Sequence, residues 1–148
     1  MTEKEFEKSL YNKIPLTKVM NFNVLEFTPY KVRISAKLEP NKNHMGIAFA
    51  GSINTLMTVC AWSISYINIK EIDANARLVL QKSSINYLVP IKNDFIAECV
   101  LLNDEDRNNF LKTYNEHGKA KLNLKVYCYD GENLAAKFEG KYVALKNI

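Results

Sequence analysis

Histidine, cysteine, glycine and proline are all scarce in this 148-residue chain, and each shortage removes a class of protein. Two His and three Cys, with no Cys-x-x-Cys pair, offer almost no ligand set for a zinc site, so no metal is expected. Cys60, Cys99 and Cys128 leave one thiol over in any pairing, which predicts reduced cysteines in a cytoplasmic protein. Five Gly and four Pro, with 47% of the residues hydrophobic, exclude a collagen-like, low-complexity or disordered chain. A surplus of one charge is missing too. The 20 basic residues face 16 acidic ones, for a net charge of +4, and they are scattered along the chain. That pattern gives no argument for nucleic-acid binding. The opening Met1-Thr2-Glu3-Lys4-Glu5 is polar and acidic, which predicts no signal peptide. The length suits a single domain over residues 1–148.

Formal charge is absent from residues 43–69, a stretch longer than the roughly 20 residues a membrane-spanning helix needs. Ser52, Asn54, Thr55, Thr58, Ser63, Ser65 and Asn68 interrupt it. In lipid each of these would need a partner that one helix supplies poorly. The stretch therefore reads as a helix buried inside a domain, without membrane insertion.

What is present is periodic. Thr2-Glu3-Lys4-Glu5 is a capping box opening a short helix to about Asn12, with Phe6, Leu10 and Ile14 on one stripe until Pro15 breaks it. Residues 16–27 read as extended. After the Pro29-Tyr30 turn, residues 31–38 alternate strictly and put Val32, Ile34, Ala36 and Leu38 on one face. Residues 39–44 form a loop by composition. A helix over residues 50–70 follows, apolar or small nearly all round, as a helix wrapped by a sheet would be. Strands are expected over residues 77–88 and 95–102, and a charged helix over 104–116 that stops at Gly118. Two more strands, 119–129 and 134–145, flank an Asp130-Gly131 hairpin turn. This order predicts an α+β domain, an antiparallel sheet curled around its one buried helix in the layout of the hotdog fold.

The run Asn43-His44-Met45-Gly46-Ile47-Ala48-Phe49-Ala50-Gly51-Ser52 sets polar side chains and two glycines directly before that helix. Helix starts present unpaired amides and a partial positive charge, and glycine lets a ligand approach the backbone. Such a site can bind an anion or polarise a carbonyl oxygen. The alternative is a loop whose glycines only permit a tight turn, with Ser52 as a cap.

The pattern Asn-His-x-Gly-x-x-Phe-Ala-Gly-Ser resembles the thioesterases of the YiiD C-terminal domain type, a branch of the hotdog superfamily. The resemblance continues at residues 81–90 (QKSSINYLVP) and 131–145 (GENLAAKFEGKYVAL). It implies an acyl thioester hydrolase acting on acyl-CoA or an acyl carrier protein. The only cofactor involved would then be the CoA or phosphopantetheine of the substrate. It also implies a site at a homodimer interface, or in a dimer of dimers. By the match of Asn43, Gly46, Phe49 and Gly51 to the motif, Asn43 orients the carbonyl or the attacking water. The Gly51 and Ser52 amides stabilise the oxyanion, and Gly46 and Phe49 line the substrate.

One departure matters. The resemblance implies an Asp or Glu on the helix seven residues after the last Gly, and here that position is Thr58. Thr58 is expected to contact substrate and cannot act as the base. No Asp or Glu occurs between Glu39 and Glu71. His44 is the available base, with a reference pKa of about 6.5 suited to proton transfer at neutral pH; a loop His ordering the turn is the alternative. One of Ser83 and Ser84 should face inward and position water or substrate. His117 reads as a favourable charge at a helix end, and Cys60 as a small buried hydrophobe. A non-catalytic acyl-CoA sensor and a hotdog hydratase or dehydratase remain as other readings.

Overall fold

The computed structural model describes residues 1–101 and 103–147. Thr2 caps α1 (Glu3–Lys13), its hydroxyl accepting from the Glu5 amide at 3.1 Å. Phe6 and Leu10 are fully buried, and Phe6 stacks on Phe27 with ring centroids 3.9 Å apart. The extended reading of residues 16–21 is overturned, because Leu16–Val19 forms a short second helix, α2. Pro15 lies in the αR region and serves as its N-cap, and the Thr17 hydroxyl donates to Ile14 O at 2.7 Å. A proline ends one helix and suits the start of the next.

Then come β1 (Phe22–Phe27), β2 (Lys31–Ala36), a 3-10 turn (Glu39–Asn41) and the 21-residue α3 (Ala50–Lys70). The rest of the chain is β3 (Arg77–Tyr87), β4 (Phe95–Val100), α4 (Asp104–His117), β5 (Lys119–Asp130) and β6 (Asn133–Leu145). The expected end of the fourth strand at Leu102 lies outside the described residues. Asp130 pairs with Asn133, so the last hairpin turns on Gly131-Glu132, one residue later than the composition suggests. Gly131 takes φ +60°, the left-handed conformation that placed the glycine there.

The six strands form one antiparallel sheet in the order β1-β2-β4-β5-β6-β3, and α3 runs inside its curl. Alternation decides the faces. Ala120, Leu122, Leu124, Val126 and Cys128 of β5 are buried while Lys119, Lys121, Asn123 and Lys125 are exposed. Leu56, Met57, Cys60, Ala61, Ile64 and Ile69 of α3 have no exposure at all. The buried Ser63 and Ser65 of α3 answer to its own backbone. Ser63 and Ser65 donate to Val59 O and Ala61 O at 2.7 and 2.9 Å. No helix among the described residues is long and apolar enough to cross a membrane. Burial pushes the Cys99 and Cys128 thiols up to about 12, and Cys60 well above its usual value. The architecture is the α+β hotdog arrangement that the resemblance implied.

Candidate active site

The loop between β2 and α3 is a built structure. Asn41 is buried in it, donating from its side chain to Met20 O and Lys37 O at 2.8 and 2.7 Å. Its own carbonyl accepts from the Phe49 amide at 2.7 Å. Two residues on, Asn43 closes a tight turn. Its amide donates to Ile47 O at 2.7 Å, and its Oδ1 accepts from the Met45 and Ile47 amides at 2.9 and 3.3 Å. Gly46, at φ +77°, supplies the left-handed residue that the turn requires. The Ala48 amide then donates to Ile91 O at 2.9 Å, tying the loop to the segment after β3.

The helix that follows is left bare. Phe49 is its N-cap and offers no side-chain bond, so Ser52 does not cap it. The Ser52 and Ile53 amides both donate to Phe49 O, at 2.9 and 3.1 Å. Among the described residues the Ala50 and Gly51 amides meet no acceptor. The free pair therefore stands one residue earlier than the Gly51 and Ser52 amides of the motif match. The Phe49 ring, 55% exposed, folds back over Gly51, where a Cβ would collide with it.

Asn43, Ile47, Ala48, Ala50, Ile53 and residues 87–91 line a cleft of about 310 Å³ at this helix start. The Tyr87 hydroxyl donates to Ala50 O at 3.0 Å, joining the end of β3 to the first turn of α3. Burial raises the Tyr87 pKa above its usual value. Residues 87–91 were not singled out from the sequence as part of the site. Their strand-ending Pro90 was visible, but nothing local places them beside residue 48.

The remaining candidates stand elsewhere. His44 is exposed on the turn and does not line the cleft. Thr58 lies seven residues into α3 from Gly51, about 10 Å along the axis. Its hydroxyl is 3.5 Å from Asn54 Oδ1, and its carbonyl accepts from the buried Tyr142 hydroxyl at 2.6 Å. Ser83 pairs with Gly140 and shares the face of Ile85 and Tyr87, whereas Ser84 pairs with Glu139 on the outer face. The site thus gathers Asn43 and the helix start with Tyr87. Neither His44 nor Ser84 joins them.

Known structures share this frame. A Chlorobaculum tepidum protein of unknown function is 23% identical and superposes with a TM-score of 0.90, covering 98% of this chain and 94% of that one. A "putative thioesterase" from Shewanella oneidensis is 27% identical at TM-score 0.80, covering 97% and 96%. A "probable thioesterase" from Pseudomonas aeruginosa is 20% identical at TM-score 0.80, covering 99% and 97%. A family model described as "Putative thioesterase (yiiD_Cterm)" matches residues 3–146, and the chain belongs to that family.

Proposed function

We propose that the protein hydrolyses acyl thioesters, of CoA or of an acyl carrier protein, at the start of α3. The observation that carries this reading is the pair of free amides, Ala50 and Gly51, opening a long uncapped helix beside an apolar cleft. These amides donate to the thioester carbonyl, and the helix dipole adds to their pull as negative charge develops on that oxygen. Water oxygen bonds to the carbonyl carbon, the carbon–sulfur bond breaks, and the water's proton ends on the departing thiolate. The products are a carboxylic acid and a free thiol. Asn43 holds the loop in register with the amides, and His44 on the same turn is the candidate proton carrier.

A homodimer fits the same reading. β3 is an 11-residue edge strand, and exposed Val79, Tyr87, Leu88 and Val89 lie on and beside it. Long exposed edges invite another strand. A second copy paired along β3 would cover that edge and close the open side of the cleft. Sedimentation at micromolar protein is expected to give a dimer, and a monomer would remove the shared-site part of the proposal.

The direct test is thiol release from short-, medium- and long-chain acyl-CoAs by wild type, Asn43→Ala and His44→Ala. Loss in both variants, with folding intact, supports a hydrolase that uses His44. Loss in Asn43→Ala alone leaves His44 a structural part of the turn. A second reading, a sensor that binds acyl-CoA without cleaving it, is favoured by one observation: Thr58 stands where relatives carry the helix acid. Binding without thiol release from any substrate would establish the sensor.

A further inference from the structure

We infer that the outer face of β3, β6 and β5 binds the phosphate-bearing nucleotide of coenzyme A, an inference that rests on the thioester reading above. The basic residues are scattered in sequence, but the strand register gathers them. Arg77 and Lys82 on β3, Lys137 and Lys141 on β6, and Lys119, Lys121 and Lys125 on β5 all fall on this one face. Among the described residues, the carboxylates that meet them are Glu139, 3.8 Å from Lys125, and Asp106, which shares a hollow with Lys121.

The other half of the same sheet is balanced instead. There Lys31 and Arg33 meet Glu26 and Glu98 at 3.6 to 4.0 Å. Two further features mark one spot on the cationic half. Lys82 stands directly opposite Lys141, an arrangement of like charges that costs a sheet stability. The register also shifts between Leu80 and Lys82, a bulge of the kind that re-aims side chains beside functional sites. Around this spot is a hollow of about 300 Å³, whose lining includes Lys82, Ser84, Asn123, Lys125 and Lys141 and also the Glu139 carboxylate that meets Lys125. Three ammonium groups against one carboxylate leave the hollow net positive, and with a hydroxyl and an amide beside them they suit phosphate oxygens.

The hollow also lies at a workable distance from the cleft. Ser84 is three residues from Tyr87, or about 10 Å along the strand. An extended pantetheine arm, roughly equal to four residues of extended chain or about 14 Å, is longer than this separation along the strand, and its path to the cleft would pass the end of β3. Coenzyme A carries three phosphate groups at the end of that arm. A carrier protein presents one phosphodiester there, which would leave most of these lysines unmatched.

The test compares wild type with the triple variant Lys82→Ala/Lys125→Ala/Lys141→Ala by calorimetric titration of coenzyme A, adenosine 3′,5′-bisphosphate and pantetheine. Wild type should bind coenzyme A well above pantetheine. The triple variant should bind both nucleotides at least tenfold more weakly, yet cleave an acyl-pantetheine thioester at the wild-type rate. Lys112→Ala, an exposed lysine on α4 outside this face, should stay within twofold of wild type. Thermal unfolding of the triple variant should match or exceed wild type, since a like-charge pair has gone. Unchanged nucleotide binding in the triple variant would overturn the inference. So would loss of activity confined to an acyl-carrier-protein substrate. Lysine-dependent binding of the bisphosphate without cleavage of any thioester would sink the hydrolase reading and leave this site standing. Cleavage of acyl-pantetheine with no preference for coenzyme A would do the reverse.

Discussion

The two ends of α3 are built in opposite ways. At its C-terminal end the side chains of Asn68 and Lys70 are engaged. The buried Asn68 donates to Pro29 O and Ile64 O at 2.9 and 2.8 Å, and its Oδ1 accepts from Arg107 Nε at 2.6 Å. Lys70 donates to Ala74 O and Ala76 O at 2.9 and 2.8 Å, covering the turn beyond the helix. At the N-terminal end the cap is Phe49, and two amides are left open. A side-chain cap there would stabilise the helix by about 1 kcal/mol, and the molecule forgoes it. The difference teaches that α3 is anchored at one end while its donors stay open at the other, the end the proposed reaction uses.

Mutations at the two ends should separate activity from stability. The largest effect is expected from Asn43→Ala. Without Oδ1 the Met45 and Ile47 amides lose their acceptor and the loop no longer holds the cleft wall. A roughly hundredfold loss in kcat/KM on an acyl thioester is expected, about 2.7 kcal/mol, with about 1 kcal/mol of folding stability. An unchanged rate would mean that the bare end is not where chemistry happens. Asn68→Ala should invert that result. It removes the acceptor of Arg107 Nε and the side-chain donor to Pro29 O, so urea unfolding should show a loss of about 2 kcal/mol. The rate constant of the folded fraction should stay at the wild-type value.

Much of this contrast was legible in the chain. The bounds of α3 follow from the change of pattern after Gly46 and from the end of the uncharged run at Lys70 and Glu71. The bare start is readable as well, since Phe49 stands where a Ser, Thr, Asp or Asn would cap. What could not be read is what depends on distant partners. Residues 87–91 become the second wall of the cleft only because Ala48 bonds to Ile91 across the fold. The cationic face likewise exists only once the register aligns β3, β6 and β5. The short α2 was misread because four residues with Val and Leu carry too little periodicity to tell a turn of helix from a strand. The free amide pair came out one residue early because Phe49 O accepts from Ser52, a bond set by the cap's geometry.

A smaller effect at the bare end is expected from Tyr87→Phe. It removes one partly exposed hydrogen bond to Ala50 O, worth about 0.5–1 kcal/mol, and loosens the end of β3 against the helix. KM for an acyl thioester should rise while kcat changes little. A change in kcat with KM unmoved would instead place the hydroxyl at the reacting carbonyl.

The smallest effect concerns pH at the anchored end. Asp73, just past α3, has its carboxyl held below the usual value, first by the Tyr114 hydroxyl and then by the Asn75 amide. The folded state therefore takes up this proton less readily than the unfolded chain. Its contribution to stability is fully present above the unfolded value of about 3.9 and is lost as pH falls through the lower folded value. Tyr114→Phe removes the leading cause of the depression. Urea midpoints of wild type and variant should therefore differ at neutral pH and draw together in acid, as Asp73 takes up its proton in both. A gap that stays constant down to the lowest pH would show that Tyr114 acts by packing alone. Thioester cleavage at neutral pH should be the same in both proteins, because neither Asp73 nor Tyr114 lines the cleft at the opposite end of α3.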